Sequence, residues 1–331
     1  MANLHIITCG GQLAKSSEHL VFTDYEGNST RILPFQTTQI LAYMPISVTA
    51  DAFTLLAKNG IGLMFKSCSG AVNIEYEAGK NVFLRHAQYK ISADKKLALS
   101  TAKKIVCGKI KNQITFMQRI KRNDACYKEN LKDISAIKQT LKKSQSCKSL
   151  DALRGFEGIA SKYYFATFGR HIKPEWAEFT KRSKNPPLTN VNAALSFLYT
   201  LLSQEVLFAC QSLGLDCMTG TLHELSYGRN SLVFDLMEEF RTPIADTLCC
   251  NLFNNGIVHA EDFETQEDGK AVYFAKQGLK KAVSAFEQKM ASTITYNGAQ
   301  LTMRELILSQ AEAYKKYVSG EQKEYTPFIY R

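Results

Sequence analysis

Paired cysteine motifs are missing from this chain. Its nine cysteines (Cys9, Cys68, Cys107, Cys126, Cys147, Cys210, Cys217, Cys249 and Cys250) are odd in number, scattered, and never spaced as C-x-x-C. Neither a zinc knuckle nor a disulfide framework is indicated, which fits a reducing compartment. The first residues lack a charged stretch followed by an apolar run, so an export signal is not expected. The longest apolar segment, Val191 to Leu213, is interrupted by Gln204 and Glu205, which speaks against a membrane span and for a cytoplasmic location. There is no internal repeat and no low-complexity linker, and only seven prolines interrupt the elements.

What is present is the composition of a folded protein, 45% hydrophobic and 11% aromatic, in a chain of 331 residues that is long enough for two domains. Residues 1–79 read as strands divided by turn signals: His5 to Thr8, Leu20 to Tyr25 before Glu26-Gly27-Asn28, and Arg31 to Pro34. Thr49 caps a short helix through Lys58 that Gly60 ends, and Ile61 to Lys66 resumes as a strand. From Lys80 the apolar spacing becomes helical, with further helices expected at Leu150 to Phe168, Asn190 to Leu213, Ser231 to Phe240, Lys270 to Ala291 and Met303 to Val318. The expected fold class is α+β: a small β-rich domain over 1–79, then a larger all-α domain over 80–331.

The net charge of +10 is localised. Between Lys80 and Lys148 there are 18 Lys/Arg against 4 Asp/Glu, a surplus of 14, so the rest of the chain sums to −4. Such a segment suits a polyanion such as DNA, whose condensed counterions are released on contact, and equally suits a solvated helical face.

Three clusters carry ionisable groups in apolar or small-residue surroundings. In Arg154-Gly155-Phe156-Glu157-Gly158, a helical drawing puts Glu157 on the face of Leu153, Ala160 and Tyr164, so its carboxylate points inward. An inward carboxylate needs a metal ion or an internal salt bridge to an arginine. Gly155 and Gly158 weaken the helix, which makes sense if an element or ligand comes close. His223 follows a glycine-containing turn, Thr219-Gly220-Thr221-Leu222, and is either a ligand or a structural hydrogen-bonder. In Ser231 to Arg241, Leu232, Val233, Leu236, Met237 and Phe240 form one face while Asp235, Glu238 and Glu239 gather opposite. Crowded carboxylates favour a divalent cation, although a solvated edge projects identically, and position does not choose between Glu238 and Glu239. One imidazole plus carboxylates is a hard, oxygen-rich donor set suited to Mn²⁺ or Mg²⁺.

Several stretches, in this order, resemble one family: Ala50-Asp51-Ala52-Phe53 through Ile61, Leu84-Arg85-His86-Ala87-Gln88-Tyr89, Gly108-Lys109-Ile110-Lys111-Asn112-Gln113, Leu153 to Gly158, Pro186-Pro187 with Val191 to Phe197, Leu222-His223, and Ser231 to Arg241. The ordered set is similar to the CRISPR-associated integrase and endonuclease that acquires new spacers. The resemblance implies a helical catalytic domain, a homodimer, double-stranded DNA as substrate, and a small second CRISPR-associated adaptation protein bridging two dimers. It places metal ligands on Glu157, His223 and Glu238, with Asp235 as an assisting acid, and suggests Arg85, Gln88 and Arg229 as DNA contacts. The implied reaction is attack of a DNA 3′-hydroxyl on a phosphodiester. Competing expectations are a catalytically silent helical DNA-binding adaptor and a related integrase of a mobile element.

Overall fold

A computed structural model describes residues 2–8, 10–67, 70–74, 81–120, 127–266 and 271–330. The chain splits into two compact units, Met1–Lys80 and Asn81–Arg331. The expected boundary at 79/80 lies outside the described residues.

The first unit contains strands β1 (Ala2–Ile6), β2 (Gln12–Ser16), β3 (His19–Thr23), β4 (Ser29–Ile32), β5 (Thr37–Ala42) and β6 (Ser47–Val48), then helix α1 (Ala50–Lys58), β7 (Gly62–Ser67) and β8 (Gly70–Ile74). They form two four-stranded sheets, β4-β3-β2-β6 and β1-β5-β7-β8. β5 and β7 pair in parallel, with α1 in the connection between them. Alternation drives the layering: Leu20 and Phe22 turn inward from β3, where they join Leu13, Ile40 and Leu63 and the Ala52, Leu55 and Leu56 face of α1 in one core. Thr49 Oγ1 accepts from the Ala52 N–H at the start of α1. At its end Gly60 (φ +63) donates to Ala57 O and Ile61 to Leu56 O, the paired bonds of a left-handed glycine cap.

The second unit is mostly helical: α2 (Val82–Ala93), α3 (Lys95–Ile120), α4 (Tyr127–Ser146), α5 (Leu150–His171), α6 (Asn190–Ser212), α7 (Ser231–Phe240), a π-helical turn over Arg241–Asp246, and α8 (Thr247–Asn254). Then come β9 (Phe263–Thr265), β10 (Val272–Phe274), α9 (Lys276–Ala291), β11 (Thr293–Tyr296), β12 (Ala299–Thr302) and α10 (Met303–Val318). The helix expected from Lys270 therefore starts at Lys276, because Val272–Phe274 pairs with Phe263–Thr265; Lys270 itself lies outside the described residues. The unit is mostly helical, as expected, and also carries two short hairpins, β9/β10 and β11/β12. Asn297 (φ +50) and Gly298 (φ +83) both adopt positive φ, the geometry that a two-residue hairpin turn needs. Among the described residues α6 alone is long and apolar enough to cross a membrane, yet it is mostly buried as the unit's central helix.

Candidate active site

α7 is buried on every side. Asp235 is 0% exposed, Glu239 1% and Glu238 4%, so the acidic edge is not a solvated face. Three buried carboxylates one turn apart would repel and be desolvated unless each had its own compensation. The structure gives each a different one.

Asp235 serves the histidine turn. Its carboxylate accepts the backbone N–H groups of Thr221 (2.5 Å), Leu222 (2.9 Å) and His223 (3.0 Å), and its Oδ1 lies 2.7 Å from His223 Nδ1. A carboxylate ringed by donors accepts rather than donates, so Nδ1 carries the hydrogen and Asp235 fixes the ring's orientation. Gly220 makes the approach possible, since a Cβ there would sit 2.8 Å from Asp235 Oδ2 and 2.8 Å from the Ser231 carbonyl carbon. Arg154 ties the same turn to α5, donating to Leu222 O at 3.0 Å and to Glu224 at 2.6 Å.

Glu238 and Glu157 share one cation. Lys109, from the interior of α3, has its ammonium in contact with Glu157 Oε1 and 2.7 Å from Glu238 Oε2. Arg241 Nε lies 3.0 Å from the other Glu238 oxygen. Both contacts to Glu238 are buried ion pairs, so its carboxylate is held between two cations. Burial pushes the Glu238 carboxyl up, but Arg241 and Lys109, with His223 adding to them, hold it down at about 2. Burial likewise pulls the Lys109 ammonium down, and Glu238 and Glu157 more than reverse it. Glu157 is half-buried and also accepts from Ser161 Oγ at 3.0 Å. The salt bridge allowed for Glu157 thus exists, but to a lysine of α3, not to an arginine. Gly155 and Gly158 are exposed, and a Cβ at either would meet nothing within 4 Å, so no other element of the described chain comes close there.

Glu239 faces away from this pair. It accepts from the Tyr325 hydroxyl and the Phe328 N–H, and burial raises its carboxyl to about 8 against those bonds. Asn112 completes the tie, donating to Glu239 O (2.8 Å) and Phe328 O (3.0 Å) and accepting from Tyr330 N (2.8 Å). Segment 325–330 thereby joins α3 to α7 beside Lys109 and Glu238. Behind Glu238, Arg241 stacks 4.6 Å over the Tyr199 ring, and Tyr199 and Tyr164 donate to Asp246 at 2.6 and 2.7 Å. These bonds lock α5 and α6 against the π-helical turn.

Sequence reasoning singled out Glu157, His223, Asp235 and Glu238 and passed over Lys109, Arg241 and Lys184. Lys184 feels the same centre: burial, then repulsion from Arg241, lower its ammonium, while Glu238 opposes them. Among the described residues no three His, Cys, Asp or Glu side chains stand ready-spaced around one point, and it is the Lys109 ammonium that meets both Glu157 and Glu238. Of the suggested DNA contacts, Gln88 is corrected: it is 1% exposed and spends its amide on Asp216 O (2.7 Å), Thr219 O (3.0 Å) and Asp216 N (3.0 Å). Arg229 is exposed, 5.7 Å over the Phe234 ring, and Arg85 is half-buried.

Fold and site together define a two-part α+β protein with a buried acid, histidine and lysine centre in its helical unit. A family profile described as CRISPR associated protein Cas1 matches residues 4–288, and the chain belongs to that family. It is similar to a CRISPR-associated endonuclease Cas1 from Thermus thermophilus, with 36% identity over 288 residues, 86% of this chain and 83% of that protein. Its fold matches a casposase bound to integration product, with a TM-score of 0.86, 23% identity, 98% of this chain and 93% of that one. It also matches a Cas6-RT-Cas1–Cas2 complex with a TM-score of 0.86, 21% identity, all of this chain and 36% of that one.

Proposed function

We propose that this protein is a divalent-metal-dependent DNA endonuclease and integrase that inserts short DNA fragments into a CRISPR array. The observation carrying the reading is the convergence of Glu157 and Glu238 on one cation, together with a histidine whose ring is oriented by Asp235. The donor chemistry fits a hard ion. The buried Glu238 carboxylate sits between two cations, and the Lys109 ammonium marks where positive charge is accommodated. Glu157, His223 Nε2 and Glu238 would hold Mn²⁺ or Mg²⁺, which when bound supplies Lewis-acid activation of a phosphodiester and of a hydroxyl or water nucleophile. Asp235 fixes the imidazole tautomer, and Arg241 keeps Glu238 ionised and therefore able to coordinate. Lys184 and Lys109 add positive charge toward an incoming phosphate.

A DNA 3′-hydroxyl as nucleophile gives joining by transesterification, and water at the same place gives cleavage. Double-stranded DNA, a homodimer and a small Cas2-like bridging partner complete the reading, supported by family membership and by the DNA-bound and Cas2-containing assemblies of similar fold. Glu157→Ala, His223→Ala and Glu238→Ala are each expected to abolish Mn²⁺-dependent joining of a short duplex to a supercoiled plasmid. Near-normal joining by any one of them removes that residue from the ligand set. A silent DNA-binding adaptor would instead bind DNA with unchanged salt dependence in all three variants and show no joining in the parent protein.

A further inference from the structure

Lys109 is the only lysine among the described residues that is buried, and it sits within α3, with charged groups rather than water about its ammonium. An ammonium is costly to bury without partners, and this one has two, Glu157 and Glu238. Its placement is more than a salt bridge that stabilises the fold, because a single ammonium bridges both of the proposed ligand carboxylates. We propose that the Lys109 ammonium is a built-in placeholder for the divalent ion, holding Glu157 and Glu238 together in the metal-free protein and competing with the ion for the same place. The inference rests on the ligand assignment proposed above.

The sign of the competition follows from charge. Without metal, two carboxylates are balanced by Lys109 and Arg241, and the centre is close to neutral. A divalent ion at the same carboxylates cannot share contact distance with an ammonium, so Lys109 must withdraw for the ion to enter. A lysine suits this role better than an arginine, being a compact point charge on a flexible stem with no bidentate grip on the carboxylates. With the ion in place the centre gains two positive charges, and the displaced ammonium stays nearby, favouring a phosphodiester only when metal is present. The placeholder thus couples metal binding to affinity for substrate.

The test measures Mn²⁺ binding directly, by the loss of the free-ion EPR signal, alongside thermal midpoints with and without Mn²⁺. Lys109→Met keeps the stem and removes the charge. It is expected to bind Mn²⁺ about tenfold more tightly than the parent, within the usual range of coupling between linked sites. Its metal-free midpoint is expected to fall and to rise further on Mn²⁺ addition than the parent's does. Lys109→Arg, which keeps a cation, is expected to bind Mn²⁺ no more tightly than the parent. Equal or weaker Mn²⁺ binding by Lys109→Met, with the parent binding normally, overturns the placeholder and leaves the ligand assignment standing. Mn²⁺ binding that is absent from the parent, or unaffected by Glu238→Gln, overturns the ligand assignment and the placeholder with it. Should Lys109→Met fail to fold without metal, recovery of its fold by Mn²⁺ supports the proposal and failure to recover overturns it.

Discussion

The carboxylates of one short helix show how far a residue's chemistry depends on what faces it. Asp235, Glu238 and Glu239 are all buried, yet one orients a histidine, one is held ionised at about 2, and one is raised to about 8 while fastening segment 325–330. The sequence made Glu157, His223 and the acids of Ser231 to Arg241 candidates, with only the family resemblance choosing Glu238 over Glu239. It hid Lys109, because a lysine in a strongly basic segment reads as surface charge, and it misplaced Gln88, whose polarity gives no sign that its amide is used internally. Asp246 offers a test at this scale. Burial raises its carboxyl above the ordinary 3.8, with the Tyr199 and Tyr164 hydrogen bonds opposing. The native state therefore binds the Asp246 proton more tightly than the unfolded state, so its contribution to stability is full below 3.8 and is lost as pH climbs through the raised native value. Asp246→Asn, which cannot titrate, should gain stability relative to the parent as pH rises, by at most about 1.4 kcal/mol per pH unit in that window. Urea unfolding of both proteins across the acid-to-neutral range checks this, and a gap that does not move with pH refutes it.

At the level of elements, termini were legible where a side chain does the capping. Thr49 and Gly60 bracket α1 as expected, because an N-cap hydroxyl and a left-handed glycine have few alternative uses. The two short hairpins were lost among helical patterns, although Asn297-Gly298 between Thr293–Tyr296 and Ala299–Thr302 carries a hairpin signal. In the first unit β2 is polar and β5 is a continuous run, neither of which alternates clearly. The helix expected to stop at Phe240 instead widens into a π turn that accommodates Pro243, which lacks an N–H, and continues as α8. Glycines separate by what surrounds them. Gly220→Ala would thrust a Cβ against Asp235 and Ser231 and is expected to destabilise the protein by about 1–3 kcal/mol and impair joining. Gly158→Ala meets open space in mid-helix and is expected to stabilise by up to about 1 kcal/mol. Chemical denaturation of both variants decides the matter; similar midpoints would mean that the Gly220 turn relaxes freely.

For the whole molecule, the division into a β-rich unit and a mostly helical unit was readable from a change of apolar period, and the basic surplus was readable by counting. What counting could not reveal is that the segment contributes both surface and centre. Lys128, Lys132, Lys138 and Lys142 of α4 lie toward solvent, whereas Lys109 of α3 is buried among acids. Changing those four lysines to glutamine is expected to weaken DNA binding and flatten its salt dependence by about 0.9 in log–log slope for each phosphate no longer engaged. The Mn²⁺-induced thermal shift should not change. A salt slope identical to the parent's would show that this face does not carry DNA. The tie formed by Asn112, Glu239 and segment 325–330 has one more consequence. Asn112 also finds partners at Phe328 and Tyr330, 216 and 218 positions further along, so the brace that segment 325–330 adds to the direct α3–α7 bonds comes from the far end of the described chain. A nascent chain of this protein thus makes both helices long before it makes the segment that braces them.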